Sequence, residues 1–274
     1  MSRIHRLTAR DRSVLELIDS YGMLSTSQIK QLMFEEVNKR TMLRRLRILE
    51  KTKNLNRITG LSRGELVWIL SSKATKLIGS DLLIKGVNRN TLEHDILIND
   101  CRISLKDMGK HWISGHVLRK DMASSSGYRS GDEAIIPDSL FALNTKAGLK
   151  TISLEVELIA KSKRRYERLM DLYQDNSDID YVWYIVPSAS IGKKVLQQVR
   201  IDSYRKSYDW AMYTLLDELR INPLEAKLNF KKKRISLKDF YQVETRKNHQ
   251  KLAHSEVHSV GSLEIKEDVW SELN

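Results

Sequence analysis

Apolar residues recur at helical spacing through the first third of the chain and then change to the alternation of strands. In LTARDRSVLELIDSYG, residues Val14, Leu15, Leu17 and Ile18 form one apolar face, Thr8 stands where an N-cap belongs with Asp11 three residues on, and Gly22 is a stop. LSTSQIKQLMF repeats the scheme, with Ser25 or Thr26 as cap and Ile29, Leu32 and Met33 inward. NKRTMLRRLRILEKT predicts a third helix, its core side carried by Met42, Leu43, Leu46 and Leu49. NLNRI and GELVWILS read as two short strands around ITGLSRGE, and SSKATKLIG as a short helix.

Past Asn90 the pattern is mixed. TLEHDILINDCRISLKDM is helical, HWISGHVLRK reads as a strand, and MASSSGYRSGDE as a polar loop. AIIPDSLFALN and TISLEVELI are strands joined by a tight turn at KAGLK. KSKRRYERLMDLYQDN is a helix with Tyr166, Leu169, Met170 and Tyr173 on one face. DYVWYIVP is apolar throughout, as a strand covered on both sides must be, and Ser188 caps a helix with Ile191, Val195 and Val199 inward. The expected fold is α/β, or α+β: an N-terminal winged helix-turn-helix over residues 1–86, an α/β core with a mixed sheet over 87–230, and a basic, polar tail over 231–274 ending in a docking segment for a partner or a second copy.

Charge sharpens this picture. The 274 residues carry a formal net charge of +12. Through Asn90 there are 18 Lys and Arg against 8 Asp and Glu, so most of the surplus lies in the first third. A polyanion is the expected partner. The third helix carries Lys39, Arg40, Arg44, Arg45 and Arg47 away from its apolar side, and the strand pair carries Arg57 and Arg63. Guanidinium groups fork onto guanine or clasp phosphate, so double-stranded DNA is the expected ligand, with the third helix in the major groove and the hairpin on the backbone. The plain alternative is a solvated basic helix or one packed on an acidic partner. A lone cysteine, Cys101, excludes an internal disulfide, and neither a leader-like segment nor a run of 18 apolar residues occurs. The expected location is the cytoplasm, without membrane attachment.

The strand TISLEVELI poses a chemical question. Glu155 and Glu157 are two apart and so share a face, and Asp138 on the preceding strand can reach the same place. Carboxylates gathered in this way repel and raise one another's pKa. A hard divalent cation, Mg²⁺ or Mn²⁺, relieves the repulsion, activates water and steadies charge on a phosphodiester. The plain alternative has both glutamates at a solvent face, paired with Arg164 or Arg165. The histidines lack zinc-site spacing, no phosphate-binding Gly-x-x-x-x-Gly-Lys loop or Gly-x-Ser-x-Gly elbow occurs, and a Tyr204 or Tyr208 nucleophile would lack the histidine metal cluster of rolling-circle enzymes.

Pro137–Asp138, a gap of 16 residues, then Glu155-x-Glu157 resembles the PD-(D/E)xK restriction-endonuclease-like superfamily. That resemblance implies that Asp138 and Glu155 hold metal. The usual lysine position is Glu157 here, so Lys161 or Lys163 would supply the cation, and Glu93 would be an additional acidic ligand. Taken with the N-terminal helices, LRRLRIL, LEVE and RRYERLMDLY, the chain resembles the replication-relaxation family from about Leu7 to Leu224. Where that family runs from acidic-x-acidic into Arg-Gly, this chain has Leu158 and Ile159. The resemblance implies a site-specific DNA-binding protein of plasmid or mobile-element type, a metal-dependent nickase or relaxase. The alternative is a DNA-binding regulator or accessory factor whose nuclease-like part is inactive and serves dimerisation or docking, favoured by Glu157 at the lysine position.

Overall fold

The computed structural model describes residues 7–84, 86–124, 136–201 and 206–242. It opens with α1 (Ala9–Tyr21), β1 (Leu24–Ser25), α2 (Thr26–Met33), α3 (Lys39–Lys51), β2 (Leu55–Ile58), β3 (Val67–Leu70) and α4 (Ser72–Ile78). Thr8 and Asp11 form a reciprocal capping box on α1, and Ser25 with Gln28 does the same on α2. Each box satisfies amide groups that a helix start leaves without partners. β1, β3 and β2 pair antiparallel in that spatial order. Val14, Leu15, Ile18, Met42, Leu46, Leu49 and Trp68 pack into one core beneath the three helices.

The remaining elements are α5 (Leu92–Ser104), β4 (Gly109–Ser114), α6 (Gly115–Ser124), β5 (Ser139–Thr145), β6 (Gly148–Val156), α7 (Lys163–Gln174), β7 (Tyr181–Val186) and α8 (Ala189–Gln198). They are followed by β8 (Ala211–Leu215), α9 (Leu216–Ile221), a 3₁₀ turn (Pro223–Glu225), β9 (Lys227–Phe230), β10 (Arg234–Ser236) and α10 (Leu237–Phe240). One seven-stranded sheet runs β10-β9-β8-β7-β6-β5-β4. Its centre, β6-β7-β8, is parallel and its flanks are antiparallel.

Both faces of the sheet are covered. Ile152, Leu154, Trp183 and Ile185 point to a core shared with Cys101 of α5 and Leu105 at its C-terminal cap, Leu219 of α9 and Leu237 of α10. Val182, Tyr184 and Val186 point the other way, toward Tyr166, Met170 and Tyr173 of α7 and Val195 and Leu196 of α8. A strand apolar on both sides is the consequence, which is why YVWYIV shows no alternation. The packing of α8 is close enough that a methyl group at Gly192 would overlap the Tyr213 ring.

α5 joins the N-terminal elements to the sheet. Gln28 Nε2 donates to Ile96 O (2.8 Å), Asn99 Nδ2 donates to Met23 O (2.6 Å), and the Arg102 guanidinium lies 3.9 Å from the Tyr21 ring centre. Asp100 bridges the two parts: it accepts from Gln28 Nε2 (2.6 Å) and pairs with Arg220 of α9.

Two expectations change. HWISGHVLRK is not one strand: β4 ends at Ser114 and Gly115 begins α6. Over ten residues an apolar segment does not separate the two periods, and Leu118, Arg119 and Lys120 are good helix formers. The basic segment KKKRISLKDFY divides into a hairpin turn, the edge strand β10 and α10, with Leu237 fully buried. Most of the loop read in MASSSGYRSGDE, together with Tyr204 and the C-terminal docking segment, lies outside the described residues.

Candidate active site and basic face

The β5–β6 hairpin turns at Lys146 and Ala147, where Thr145 Oγ1 donates to Gly148 O (2.8 Å) and Gly148 adopts φ 98°, a value suited to glycine. This turn fixes the register that pairs Ser139 with Leu154. Asp138, one residue before β5, is thereby brought to the end of β6. Its Oδ2 accepts from the amide of Val156 (2.8 Å).

Alternation along β6 sends Ser153 and Glu155 toward α7. Ser153 Oγ donates to Tyr173 Oη (3.0 Å), and the Tyr173 hydroxyl donates to Glu155 Oε1. Glu157 continues the ladder past β6 through its amide, which donates to Ile185 O (2.9 Å). Its carboxylate is 5% exposed and forms an ion pair with Lys161. The backbone amide of Lys161 donates to Tyr166 Oη (2.9 Å).

These groups shape one another's charge. Burial, then repulsion from Asp138, pushes Glu155 from 4.5 up to about 8, against the opposing pull of Tyr173 and Lys161. Burial also raises Glu157, against the hydrogen bond and charge of Lys161. His94 on α5 closes the far side: its Nε2 is 2.9 Å from Val156 O and 3.3 Å from Asp138 Oδ2. Burial opposes its charge, but Asp138 and the Val156 carbonyl outweigh it and lift His94 to about 9. His94 is therefore a cation at neutral pH, donating to Val156 O beside the Asp138 carboxylate.

The structure thus brings Asp138, Glu155, Glu157 and Lys161 to one end of the sheet. Glu93 is not among them: its carboxylate accepts from the amide of Ser62 (2.7 Å), in the turn between β2 and β3. Lys163 faces Glu167 at 3.8 Å. The glutamates do not use Arg164 as an ion-pair partner; Arg165 acts on Glu157 only as a nearby charge. Sequence reasoning read Tyr173 only as a core position and did not anticipate Tyr184. Tyr184 pairs in register with Glu155, and its hydroxyl is buried without a hydrogen-bond partner among the described residues. The available signal was the spacing of Tyr166 and Tyr173, seven apart on the inward face of α7.

Among the described residues no group of three or more histidine, cysteine, aspartate or glutamate side chains is placed to hold a metal ion. In kind the donors do fit one. Asp138 and Glu155 offer hard oxygens, and Mg²⁺ is commonly held by one or two carboxylates while keeping its waters. Glu155 keeps its proton because burial and Asp138 oppose its charge, and a cation relieves the same repulsion.

In the N-terminal part, α3 presents Lys39, Arg40, Arg44 and Arg47 to solvent. Arg40, Arg44 and Arg47 follow the spacing of one helix face. Arg45 is occupied: Nε donates to Asp11 Oδ1 (2.6 Å), and Asp11 is 1% exposed. Arg57 on β2 pairs with Glu50 (3.2 Å) while remaining exposed, and Arg63 is exposed in the β2–β3 turn.

A family model described as replication-relaxation matches residues 15–184, more than half of the chain. The protein belongs to the replication-relaxation family. The matched stretch runs from α1 to Tyr184 in β7 and so contains α3, the β5–β6 hairpin and α7, the parts from which replication-relaxation membership was expected. No curated protein and no solved structure matches the chain. Among the described residues no helix is long and apolar enough to cross a membrane.

Proposed function

We propose that this replication-relaxation protein binds double-stranded DNA at a specific site and nicks one strand, in the replication or mobilisation of a plasmid or mobile element. The observation that carries the reading is the convergence of Asp138, Glu155, Glu157 and Lys161 at the end of the β5–β6 hairpin. Three carboxylates held where two of them are pushed toward protonation are costly to a fold and useful to chemistry. Asp138 and Glu155 would hold Mg²⁺ or Mn²⁺. The ion would supply charge neutralisation at the scissile phosphate and a more acidic water. Lys161 sets a positive charge beside Glu157, and His94 holds Asp138 in place through its own contact with Asp138 Oδ2, while the Val156 amide donates to the same oxygen.

Recognition is assigned to α3. Its order after α1 and α2 and before the β2–β3 pair is that of a winged helix-turn-helix, whose third helix enters the major groove. Arg40, Arg44 and Arg47, with Lys39, supply base and phosphate contacts, and Arg57 and Arg63 reach the backbone. Arg45 is left out of this set because Asp11 holds it.

A second reading has a specific observation in its favour. Asp138, Glu155 and Glu157 each already have a partner inside the protein, in Val156, Tyr173 and Lys161. A DNA-binding regulator or accessory factor with a silent nuclease-like centre would look the same. Incubation with supercoiled plasmid carrying the cognate site separates the two. Under the first reading Mg²⁺ or Mn²⁺ converts it to open circle, and Asp138→Ala abolishes conversion while duplex binding persists. Equal conversion by the variant, or none by the parent protein, rejects nicking at this centre.

A further inference from the structure

The lysine run of the β9–β10 hairpin lies outside the family-matched stretch and takes no part in the centre described above. It lines a cavity of about 510 Å³ between α8 and the sheet edge, where Lys193 and Gln197 of α8 face Lys231, Lys232, Lys233 and Arg234. Five cationic side chains from two distant segments meet there. Two carboxylates answer them: Asp209 pairs with Lys233 (2.7 Å) and Glu218 stands 3.8 Å from Arg234. Lys193 and Lys232 have no carboxylate partner among the described residues. Like charges drawn around one concavity repel, and a polyanion relieves that repulsion.

The surroundings specify the polyanion further. Lys231 and Lys232 both place their ammonium groups 4.7 Å from the centre of the Tyr208 ring. Cations beside aromatic rings are among the elements that hold single-stranded nucleic acid, where phosphates meet lysine and bases stack on rings.

The cavity is also in line with the carboxylates. Glu155 pairs in register with Tyr184, Tyr184 with Tyr213, Tyr213 with Asn229, and Asn229 with Arg234. One row thus crosses the sheet from the carboxylate centre to the cavity wall. At about 4.8 Å per strand, Glu155 and Asn229 are roughly 14 Å apart along it.

We propose that the groove between α8 and the β9–β10 hairpin binds the backbone of single-stranded DNA, with Lys193 and Lys232 as phosphate contacts, the latter beside the Tyr208 ring. That the ligand is DNA rests on the reading under Proposed function.

Fluorescence anisotropy of the full chain with labelled oligothymidylate, and separately with a labelled duplex carrying the cognate site, tests this. Lys193→Glu/Lys232→Glu alters exposed positions only. It is expected to weaken oligothymidylate binding about tenfold or more and to lower the salt slope by roughly 1.4, for two lost contacts at about 0.7 each. Duplex binding should be unchanged. Arg44→Ala should do the reverse. The proposal is overturned if the double variant, folded by circular dichroism, binds oligothymidylate as the parent does while the duplex still binds through α3. If the parent binds neither probe, the DNA reading itself falls and this groove with it.

Discussion

Glu155→Gln should stabilise the protein. In the folded state Glu155 keeps its proton to about pH 8, because burial and Asp138 disfavour the anion; its ordinary value is 4.5. Between those values the unfolded chain releases the proton and the folded protein does not. The contribution is therefore fully present below about pH 4.5 and is lost as pH rises toward 8. At pH 7 the loss spans about 2.5 pH units at about 1.36 kcal/mol each, an upper figure of about 3 kcal/mol. Glutamine does not ionise, has nearly the same shape, and keeps a carbonyl oxygen to accept from Tyr173. Urea unfolding followed by tryptophan fluorescence, in the presence of a chelator, reads the effect directly. The variant should gain about 2–3 kcal/mol at pH 7 to 8 and little at pH 4.5. The same substitution should abolish nicking if the metal reading is right. A gain independent of pH, or a loss of stability at pH 8, would refute the account of Glu155 as a carboxyl group held against its ionisation.

Two further outcomes follow from the packing. Arg45→Ala removes the ion-pair partner of the buried Asp11 carboxylate, which keeps its Thr8 hydrogen bonds, and should cost about 2 kcal/mol, whereas Arg44→Ala should leave the melting temperature within a degree or two and weaken duplex binding; equal melting temperatures for the two variants would contradict the division of labour on α3. Gly192→Ala should destabilise by about 1–3 kcal/mol in chemical denaturation, since the added methyl group meets the Tyr213 ring, and an unchanged midpoint would show that α8 can move away.

The sequence determined much of this protein on local grounds. Capping residues at Thr8 and Ser25, apolar stripes on α1 to α3 and the alternation in TISLEVEL are short-range signals, and each produced the element expected. The pairing of Asp138 with the end of β6 was also legible, because a tight turn at Lys146 and Ala147 fixes the register of everything before it. What local pattern could not supply was the partner of each charged group. Arg45 and Arg44 are adjacent in sequence, but one meets Asp11, 34 residues away, and the other meets solvent. Glu93 and His94 are adjacent, but one faces the β2–β3 turn and the other faces Asp138. The strands β8 to β10, and the cavity they make with α8, likewise depend on long-range pairing. Periodicity assigns a residue to a face; only the packing of distant elements decides what stands opposite, and therefore whether a charge is a ligand, a strut or a free contact.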